Sequence, residues 1–430
     1  MAKLLIIDVA ALGWGLLEDN DIAQCAGLRF APTEGIFPAV TCSVQASFRT
    51  GLPCGGHGMV GNGRMYRELG KALFWEQSAG LVQGRRIWEG FRNRGGKVGL
   101  MFWQQSLGEA ADLVLSPAPI HRHHGGMIQD CYSQPPALYG TLCDRIGKSF
   151  KLRQYWGPLA SAKVGDWIAA ATADVLRNPL PAPQLMLMTY LPSLDYDLQR
   201  YGPDHHNSRS ALKRTLRQLE LMIHAARQND FHVVVFGDYA IAPATQVAHP
   251  NRALLEAGLL RVREVRDMLY ADLYASRAFA VADHEIAHVY VPDPQDLPAA
   301  AAVLGRLPGV GEVLDRSAQS ALGLDHANAG ELVLVAAEGC WFDYRWWNDP
   351  RQRPDYAAHV DIHNKPGYDP CELFFGWPPP SVSQNPGRIK GTHGRVGEGR
   401  QVAWASTLDL GEVGSLLELS AAVRSRLENS

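Results

Sequence analysis

Lys3-Leu4-Leu5-Ile6-Ile7-Asp8, close to the N-terminus, is a run of four apolar residues that ends at an aspartate. The run is too short for the apolar region of a signal peptide or for a membrane span. It predicts a buried strand. In open α/β sheets ligands bind beyond the carboxyl ends of the strands, so Asp8 is a candidate site residue.

Similar short apolar runs recur along the chain and alternate with helical stretches. This alternation is typical of an α/β fold with a mostly parallel sheet that helices cover on both faces. Ser208 to Gln228 has apolar residues at helical spacing, and Asn207 is a plausible N-cap, so this stretch predicts a covering helix. Strands are predicted at Lys3–Ile7, Lys97–Trp103, Gln184–Tyr190, His232–Phe236 and Glu331–Ala336.

The domain organisation follows from a change of pattern near Pro250. Shorter elements then appear, with strands predicted at Ala278–Ala282 and Ala287–Val291 and a helix at Asp296–Leu307. We therefore predict a small α+β cap or insertion at 251–330, within a core made of 1–250 and 331–430. The segment 341–400 is rich in Trp, Pro and Gly, and irregular segments of that length are usually functional or disordered. Its many aromatic residues favour ordered loops.

Composition narrows the class of protein and the kind of partner. The 430 residues are 46% hydrophobic and 20% charged, which indicates a globular protein with a large core. With 41 basic and 44 acidic residues, nothing suggests binding to a nucleic-acid polymer or a membrane, so we expect a small substrate. The seven cysteines form no CxxC pair and are odd in number, which favours a reducing cytoplasm over a disulfide framework. The oligomeric state stays open.

Three more polar residues follow apolar strands or lie in turns. Asp195 and Asp238 each come shortly after a predicted strand, and His393 lies in a glycine-flanked turn. Each of them alone is more often a helix cap or a turn residue. Their order along the chain, together with Asp8, makes the set informative.

The segment Phe37-Pro-Ala-Val-Thr41-Cys-Ser-Val-Gln-Ala-Ser-Phe-Arg-Thr50-Gly-Leu-Pro53, followed by His57-Gly58 and Asn62, completes this set. It resembles the nucleophile segment of the type I phosphodiesterase and nucleotide pyrophosphatase family of the alkaline phosphatase superfamily. The spacing of the nucleophilic threonine, the threonine-glycine-leucine, the histidine-glycine and the phosphate-binding asparagine all match. Asp195, Gly237-Asp238, the stretch from Asp361 to Asp369, and His393 with its flanking glycines continue the resemblance in family order over nearly the whole chain.

The resemblance implies an alkaline-phosphatase-like core and hydrolysis of a phosphate ester or diester through phospho-threonine at Thr41. It implies that Asn62 binds phosphate and that two divalent ions, zinc in the family, are bound. A metal ion lowers the pKa of a hydroxyl nucleophile, and a helix start at Thr41 offers N–H groups to phosphate oxygens. By resemblance, the positions that ligate one ion are Asp8, Thr41, Asp238 and Tyr239, and those that ligate the other are Asp195, Gln199 and His393.

Gln199 and Tyr239 depart from the family, which has histidine at both positions. Each replaces a nitrogen ligand with an oxygen donor, so zinc affinity should fall. Three outcomes are open: two harder ions such as manganese or magnesium, one ion, or substitute histidines. Among substitutes, His363 is a better candidate than the adjacent His205 and His206. Histidines in the predicted cap, including His284 beside Asp283, are expected to be structural.

Two other readings of the function stay open. In the first, the chain is a degenerate family member that binds a phosphorylated ligand without turnover, which the loss of two histidines suggests. In the second, it is a relative that transfers the phosphoryl group or cleaves a carbon–phosphorus bond. Cys42, beside Thr41, lacks the surroundings of a thiolate nucleophile and is interpreted as a packing residue. The leaving group is not predicted.

Overall fold

The computed structural model describes residues 3–124, 126–180 and 184–429. Among them, eight strands form the main sheet, and its five central strands run parallel while the strands at both edges are antiparallel. The predicted α/β class is confirmed, and the four predicted strands in this sheet lie within two residues of their expected ends. In spatial order the strands are Cys131–Gln134, Leu113–Pro117, Lys97–Met101, Leu185–Leu191, Lys3–Val9, His232–Gly237, Val402–Ser406 and Ala31–Thr33.

The central strand Lys3–Val9 shows why helices cover both faces of this sheet. Leu5, Ile7 and Val9 point into a core that includes helices Lys163–Arg177 and His206–Gln228. Leu4 and Ile6 point to the opposite face and pack with helices Thr41–Thr50 and Leu416–Glu428. Successive side chains of a strand alternate between faces, so a wholly apolar strand is buried on both sides.

The predicted covering helix is confirmed as His206–Gln228, but its N-cap is His205 rather than Asn207. The His205 ring accepts a hydrogen bond from the backbone N–H of Asn207 at 3.2 Å. The helix thus begins two residues earlier than the sequence indicates, because a histidine side chain takes the capping role that asparagine usually fills.

A second, smaller sheet is antiparallel throughout and has, among the described residues, four strands. The expectation that Glu331–Ala336 belongs to the main sheet is wrong, since Leu332–Ala336 lies in the middle of this second sheet. The boundary placed at residue 330 therefore separates strands of one sheet. In spatial order its strands are Phe279–Asp283, Ile286–Tyr290, Leu332–Ala336 and Val310–Leu314, and helices Pro250–Glu256 and Leu297–Leu304 contribute to its core.

The remaining elements are short. Segment 341–400 consists largely of loops and single 3₁₀ turns, yet its aromatic residues Trp341, Trp346 and Trp347 are buried in the core. Within the described residues, none of the helices combines the length and apolar character needed to cross a bilayer. Short helices are Trp14–Glu18, Cys54–His57, Glu89–Asn93, Leu138–Ile146, Leu152–Tyr155, Ser193–Tyr201 and Arg316–Ala321. Small strand pairs join Gln24–Cys25 to Leu28–Arg29, Gly63–Tyr66 to Lys71–Phe74, Ile120–His121 to Met127–Ile128, Ala242–Pro243 to Gly391–Thr392, Gln246–Ala248 to Cys340–Phe342, and Val262–Val265 to Met268–Ala271.

Candidate active site

Asp8 and Asp238 lie side by side at the carboxyl ends of two neighbouring parallel strands. Both are fully buried. Asp8 accepts a hydrogen bond from the Gln45 side-chain amide at 2.7 Å, and Asp238 accepts one from the Ala11 N–H at 3.1 Å. Gly237 permits this approach, because a Cβ there would stand 2.3 Å from the Leu12 carbonyl oxygen.

One oxygen of each of these carboxylates, Asp8 Oδ1 and Asp238 Oδ2, is buried without a hydrogen-bond partner. Burial raises the pKa of both carboxyl groups well above the ordinary aspartate value, and the neighbouring Asp8 charge raises the pKa of Asp238 further. Two buried carboxylates with unused oxygens form an unfavourable arrangement unless a cation joins them. The pair therefore has the chemistry of a divalent-cation site.

Thr41 is the first residue of helix Thr41–Thr50, directly above this pair. The N-cap of the helix is Val40, whose side chain makes no capping hydrogen bond. The Thr41 hydroxyl lies 3.3 Å from the Tyr190 hydroxyl and also interacts with the side chains of Asp238 and Tyr239. Thr41 is thus a helix-start hydroxyl in contact with a buried carboxylate.

Asn62 lies beside the first turn of the same helix. Its side-chain oxygen accepts from the Cys42 N–H at 3.0 Å, and its amide nitrogen donates to Asp283 at 3.1 Å. The Asn62 backbone N–H also donates to Asp283, at 2.8 Å. An amide nitrogen carries two protons, so Asn62 retains one donor for a ligand beside Thr41.

Asp195 lies in the first turn of helix Ser193–Tyr201, and both of its carboxylate oxygens have protein donors. Gln199 donates to one oxygen at 2.6 Å and the Tyr239 hydroxyl to the other at 3.2 Å. Gln199 in turn accepts from the Tyr368 hydroxyl at 2.9 Å. Burial raises the pKa of Asp195 to about 7. The residues that replace two histidines of the family thus hydrogen-bond the carboxylate of the second predicted ligand set.

His393 is buried and has one ring nitrogen free for a ligand. Its Nδ1 hydrogen-bonds the Ala39 carbonyl oxygen at 2.8 Å, and its Nε2 lies 4.0 Å from Asp195 Oδ1. The ring stacks on Tyr239, with centroids 3.5 Å apart. Burial lowers the pKa of His393 well below the ordinary histidine value, which favours the neutral ring that metal ions require.

His363, His205 and His206, the suggested substitute histidines, lie elsewhere. His363 is exposed at the rim of the cavity, where its ring is 6.5 Å from that of His121. His205 caps a helix and stacks on Tyr201, and His206 packs against His205.

His284, which was expected in a cap, lines the cavity beside His393. It lies in the hairpin turn between Phe279–Asp283 and Ile286–Tyr290, and its ring centroid is 3.7 Å from that of His393. The sequence signal was present, since Asp283-His284 follows an apolar strand just as Asp8 does. Placing this strand in a cap obscured that signal.

A cavity of about 650 Å³ opens over these residues. Asp8 and Asp238 lie beneath its floor. The floor is polar and consists of Thr41, Asn62, Asp195, Gln199, Tyr239, His284 and His393. The walls are mostly apolar and aromatic, and Arg153 adds a cation; their apolar and aromatic side chains include Trp75, Phe102, Met127, Tyr155, Trp156 and Phe375.

In the part of the chain that the structure describes, no group of three or more histidine, cysteine, aspartate and glutamate side chains is arranged to hold a metal ion. Each predicted ligand set contains only two such residues: Asp8 with Asp238, and Asp195 with His393. The unpartnered oxygens of Asp8 and Asp238 nevertheless have the chemistry that a divalent cation binds. Oxygen ligands suit manganese or magnesium better than zinc.

Comparisons with known proteins agree with this architecture. The chain resembles phosphonoacetate hydrolase from Sinorhizobium meliloti 1021 in complex with phosphonoformate, with a TM-score of 0.64 and 17% identity over 98% of this chain and 95% of that one. It also resembles murine ectonucleotide pyrophosphatase / phosphodiesterase 5, solved as an inactive variant in complex with AMP, with a TM-score of 0.60 and 13% identity over 100% and 95% of the two chains. At these identities the likeness shows the fold alone.

No curated protein matches the sequence. The family model of type I phosphodiesterase / nucleotide pyrophosphatase matches residues 4–369, which is most of the chain and includes Asp8, Thr41, Asn62, Asp195 and Asp238. The chain therefore belongs to the type I phosphodiesterase / nucleotide pyrophosphatase family, on an alkaline-phosphatase-like fold.

Proposed function

We propose that this chain is a metal-dependent hydrolase of phosphate esters or diesters, and that Thr41 is its nucleophile. The observation that supports this best is the position of the Thr41 hydroxyl. It stands at the start of a buried helix, faces the cavity, and lies near Asp238, one of whose oxygens is unpartnered. Membership of a family of phosphoester hydrolases gives the reaction class.

In the proposed reaction, Thr41 Oγ1 forms a bond to phosphorus as the bond from phosphorus to the leaving oxygen breaks. The Thr41 proton passes to water in the cavity, and the leaving oxygen takes up a proton from the same water as it departs, so that no net proton is gained or lost in this step. Water then attacks the phosphorus of phospho-Thr41, which releases the threonine hydroxyl and the phosphate product. The second N–H of the Asn62 side-chain amide donates a hydrogen bond to a phosphate oxygen during both steps.

A divalent ion held by Asp8, Asp238 and Thr41 would lower the pKa of the threonine hydroxyl and offset negative charge on the phosphoryl group. The helix start contributes N–H groups and the positive end of the helix dipole to the same phosphate oxygens. Gln45 holds Asp8 in place, and the Ala11 N–H holds Asp238.

The cavity favours substrates with a large apolar or aromatic group on the ester. Its walls carry Trp75, Tyr155 and Trp156, which offer aromatic rings for stacking, while Arg153 supplies a cation. We therefore propose aryl or nucleoside-like esters in preference to small, highly charged substrates.

Binding without turnover is the second candidate, and one observation favours it. The carboxylate of Asp195 is engaged by Gln199 and Tyr239, so its oxygens are occupied by protein donors rather than left free. A panel of nitrophenyl phosphate monoesters, nitrophenyl phosphate diesters and phosphonates, each with added zinc, manganese or magnesium, separates the candidates. We expect turnover of an aryl diester or monoester with at least one ion. Tight binding of phosphate with no turnover under any condition would favour the second candidate.

Divalent ions should stabilise the folded protein, because they join two buried carboxylates that otherwise lack partners. An ion present at 100 times its Kd adds about 2.7 kcal/mol to the free energy of unfolding. Thermal melts of metal-free protein with added manganese, magnesium or zinc measure this effect. The melting temperature should rise, and the double variant Asp8→Asn/Asp238→Asn should lose most of the rise. An unchanged melting temperature with all three ions would contradict a metal site here.

A further inference from the structure

Trp156 lines the cavity, and its indole nitrogen is bonded to a buried carboxylate. The ring is half-buried and packs against the rings of Tyr196 and Tyr368, whose centroids are 6.2 and 5.7 Å away. Its Nε1 donates a hydrogen bond to Glu372 Oε2 at 2.5 Å. Hydrogen bonds to a charged group are shorter than those between neutral groups and about twice as strong. The bond to Glu372 therefore fixes the direction in which the indole faces.

Both carboxylate oxygens of Glu372 have partners. Its side chain is 1% exposed, and Oε1 lies 2.7 Å from Lys365 Nζ. The same oxygen accepts a hydrogen bond from the Asp361 backbone N–H at 2.9 Å. Asp361, like Trp156, belongs to the cavity wall. One carboxylate thus connects two separate parts of that wall.

Glu372 and Lys365 stand at one end of a row of buried charges. Lys365 Nζ also donates to Asp369 Oδ2 at 2.8 Å. Asp369 Oδ1 accepts from Arg345 at 3.3 Å, and the same guanidinium lies 3.4 Å from Asp343. No step of the proposed hydrolysis uses these side chains. Because burying charges costs desolvation that their attraction seldom exceeds, such a row adds little stability compared with apolar side chains. The row is better explained by the groups that it holds in place.

We infer that Glu372 is a positioning residue, which holds the Trp156 ring where it stacks on the aromatic group of the substrate. Lys365 and the rest of the row hold Glu372 in turn. The inference rests on the proposed function for the class of substrate, an ester of an aromatic alcohol, and names the residue that enforces this preference. Glu372 does not line the cavity itself. Its loss should therefore weaken binding of the aromatic group and leave the chemical step unchanged.

Glu372→Gln tests this role, because an amide has one oxygen where the carboxylate has two. That oxygen should remain with the Lys365 ammonium, which is the stronger donor, so the amide NH2 group then faces the Trp156 N–H. Two donors cannot form a hydrogen bond, and the indole should turn away. Trp156→Phe removes the N–H but keeps an aromatic ring, so in that background the glutamine should have no further effect.

Trp346→Phe is the matched control for Trp156→Phe. Trp346 is a buried tryptophan whose Nε1 also donates a hydrogen bond, to the Leu269 carbonyl oxygen at 2.9 Å, but it does not line the cavity. Removing its N–H makes the same chemical change elsewhere in the protein. Ligand binding should then equal that of wild type.

The experiment is calorimetric titration of the full-length, metal-free protein with 2-naphthol, an uncharged aromatic alcohol, and with its saturated counterpart decahydro-2-naphthol. Wild type should bind 2-naphthol more tightly than the saturated alcohol by about 3- to 10-fold, the range expected for one aromatic pair. Glu372→Gln should raise the Kd of 2-naphthol by about the same factor and remove most of this preference. The double variant Trp156→Phe/Glu372→Gln should bind as Trp156→Phe alone does, because the two residues act through one hydrogen bond.

Kinetics with 2-naphthyl phosphate provide a second readout, in which Glu372→Gln should raise KM and leave kcat unchanged. The titrations need neither metal nor turnover. A protein that shows the expected affinities but hydrolyses no ester would uphold this inference while refuting the proposed function. Equal binding of the two alcohols by wild type, an unchanged Kd in Glu372→Gln, or the same loss of affinity in the Trp156→Phe background would overturn the inference. A fall in kcat with KM unchanged would overturn it as well.

Discussion

Thr41→Ala should abolish hydrolysis, with kcat/KM falling by about 1,000-fold or more, as expected when a covalent nucleophile is removed. The fall should appear in kcat, because the cavity walls and Asn62 that bind the substrate are unchanged. Steady-state kinetics on the best ester from the panel measure the effect. Thr41→Ser, which keeps the hydroxyl, should retain turnover.

Cys42→Ala is the matched control for this variant. Cys42 is the adjacent residue, but its side chain is fully buried, and burial raises the pKa of its thiol to about 12, so the thiolate is not available. Most activity should survive the substitution. Full activity in Thr41→Ala would refute the assignment of Thr41 as nucleophile. Loss of activity in Cys42→Ala, with activity kept in Thr41→Ala, would indicate Cys42 as the nucleophile instead.

Asp238→Asn should change activity and metal-free stability in opposite directions. Activity should fall by more than about 100-fold, since even residues that only orient a metal ligand contribute 10- to 100-fold. Without metal, the variant should be more stable than wild type, because it removes one of two adjacent buried carboxylates. For each unit by which burial raises the pKa of Asp238 in the folded state above its value in the unfolded chain, the free energy of unfolding falls by about 1.4 kcal/mol at a pH above both values.

The stability of the metal-free wild-type protein should depend on pH, and the direction of this dependence follows from the raised pKa of Asp238. The pKa of Asp238 is raised in the folded state, so the folded protein binds the proton more tightly than the unfolded chain does. Stability is then greatest below the ordinary aspartate pKa and is lost as pH rises through the raised pKa. Urea unfolding over this range should show a steep loss in wild type and a smaller one in Asp238→Asn. The exposed Asp204→Asn is the control and should behave like wild type. A less stable metal-free Asp238→Asn would contradict the account.

The main sheet could be predicted because its strands are apolar on both faces and end at polar residues. Asp8 and Asp238 come together for that reason alone, since their strands are parallel neighbours. Leu332–Ala336 shows the limit of the same signal. An apolar run buried on both faces is the same in either sheet, and only its pairing with Ile286–Tyr290 and Val310–Leu314 decides where it belongs.

Side-chain direction was the harder part of the site. Tyr239 was expected with Asp8 and Asp238, yet its hydroxyl donates to Asp195 while its ring stacks on His393, so it lies between the two predicted sets. His284 enters through a hairpin of the second sheet, and contacts between distant parts of a chain leave no local pattern. The burial of the His284 ring and its unpartnered Nε2 follow from those distant contacts, so the sequence does not indicate them.

In the proposed mechanism, Thr41 carries the phosphoryl group during turnover. The most direct test of this step is acid quenching of the metal-loaded protein during turnover of the best aryl ester, followed by mass spectrometry of the peptide that contains Thr41. We predict a phosphoryl or phosphodiester adduct on Thr41 that disappears when substrate is exhausted. Rapid turnover with the peptide unmodified at every quench time, together with full activity in Thr41→Ala, would contradict the account.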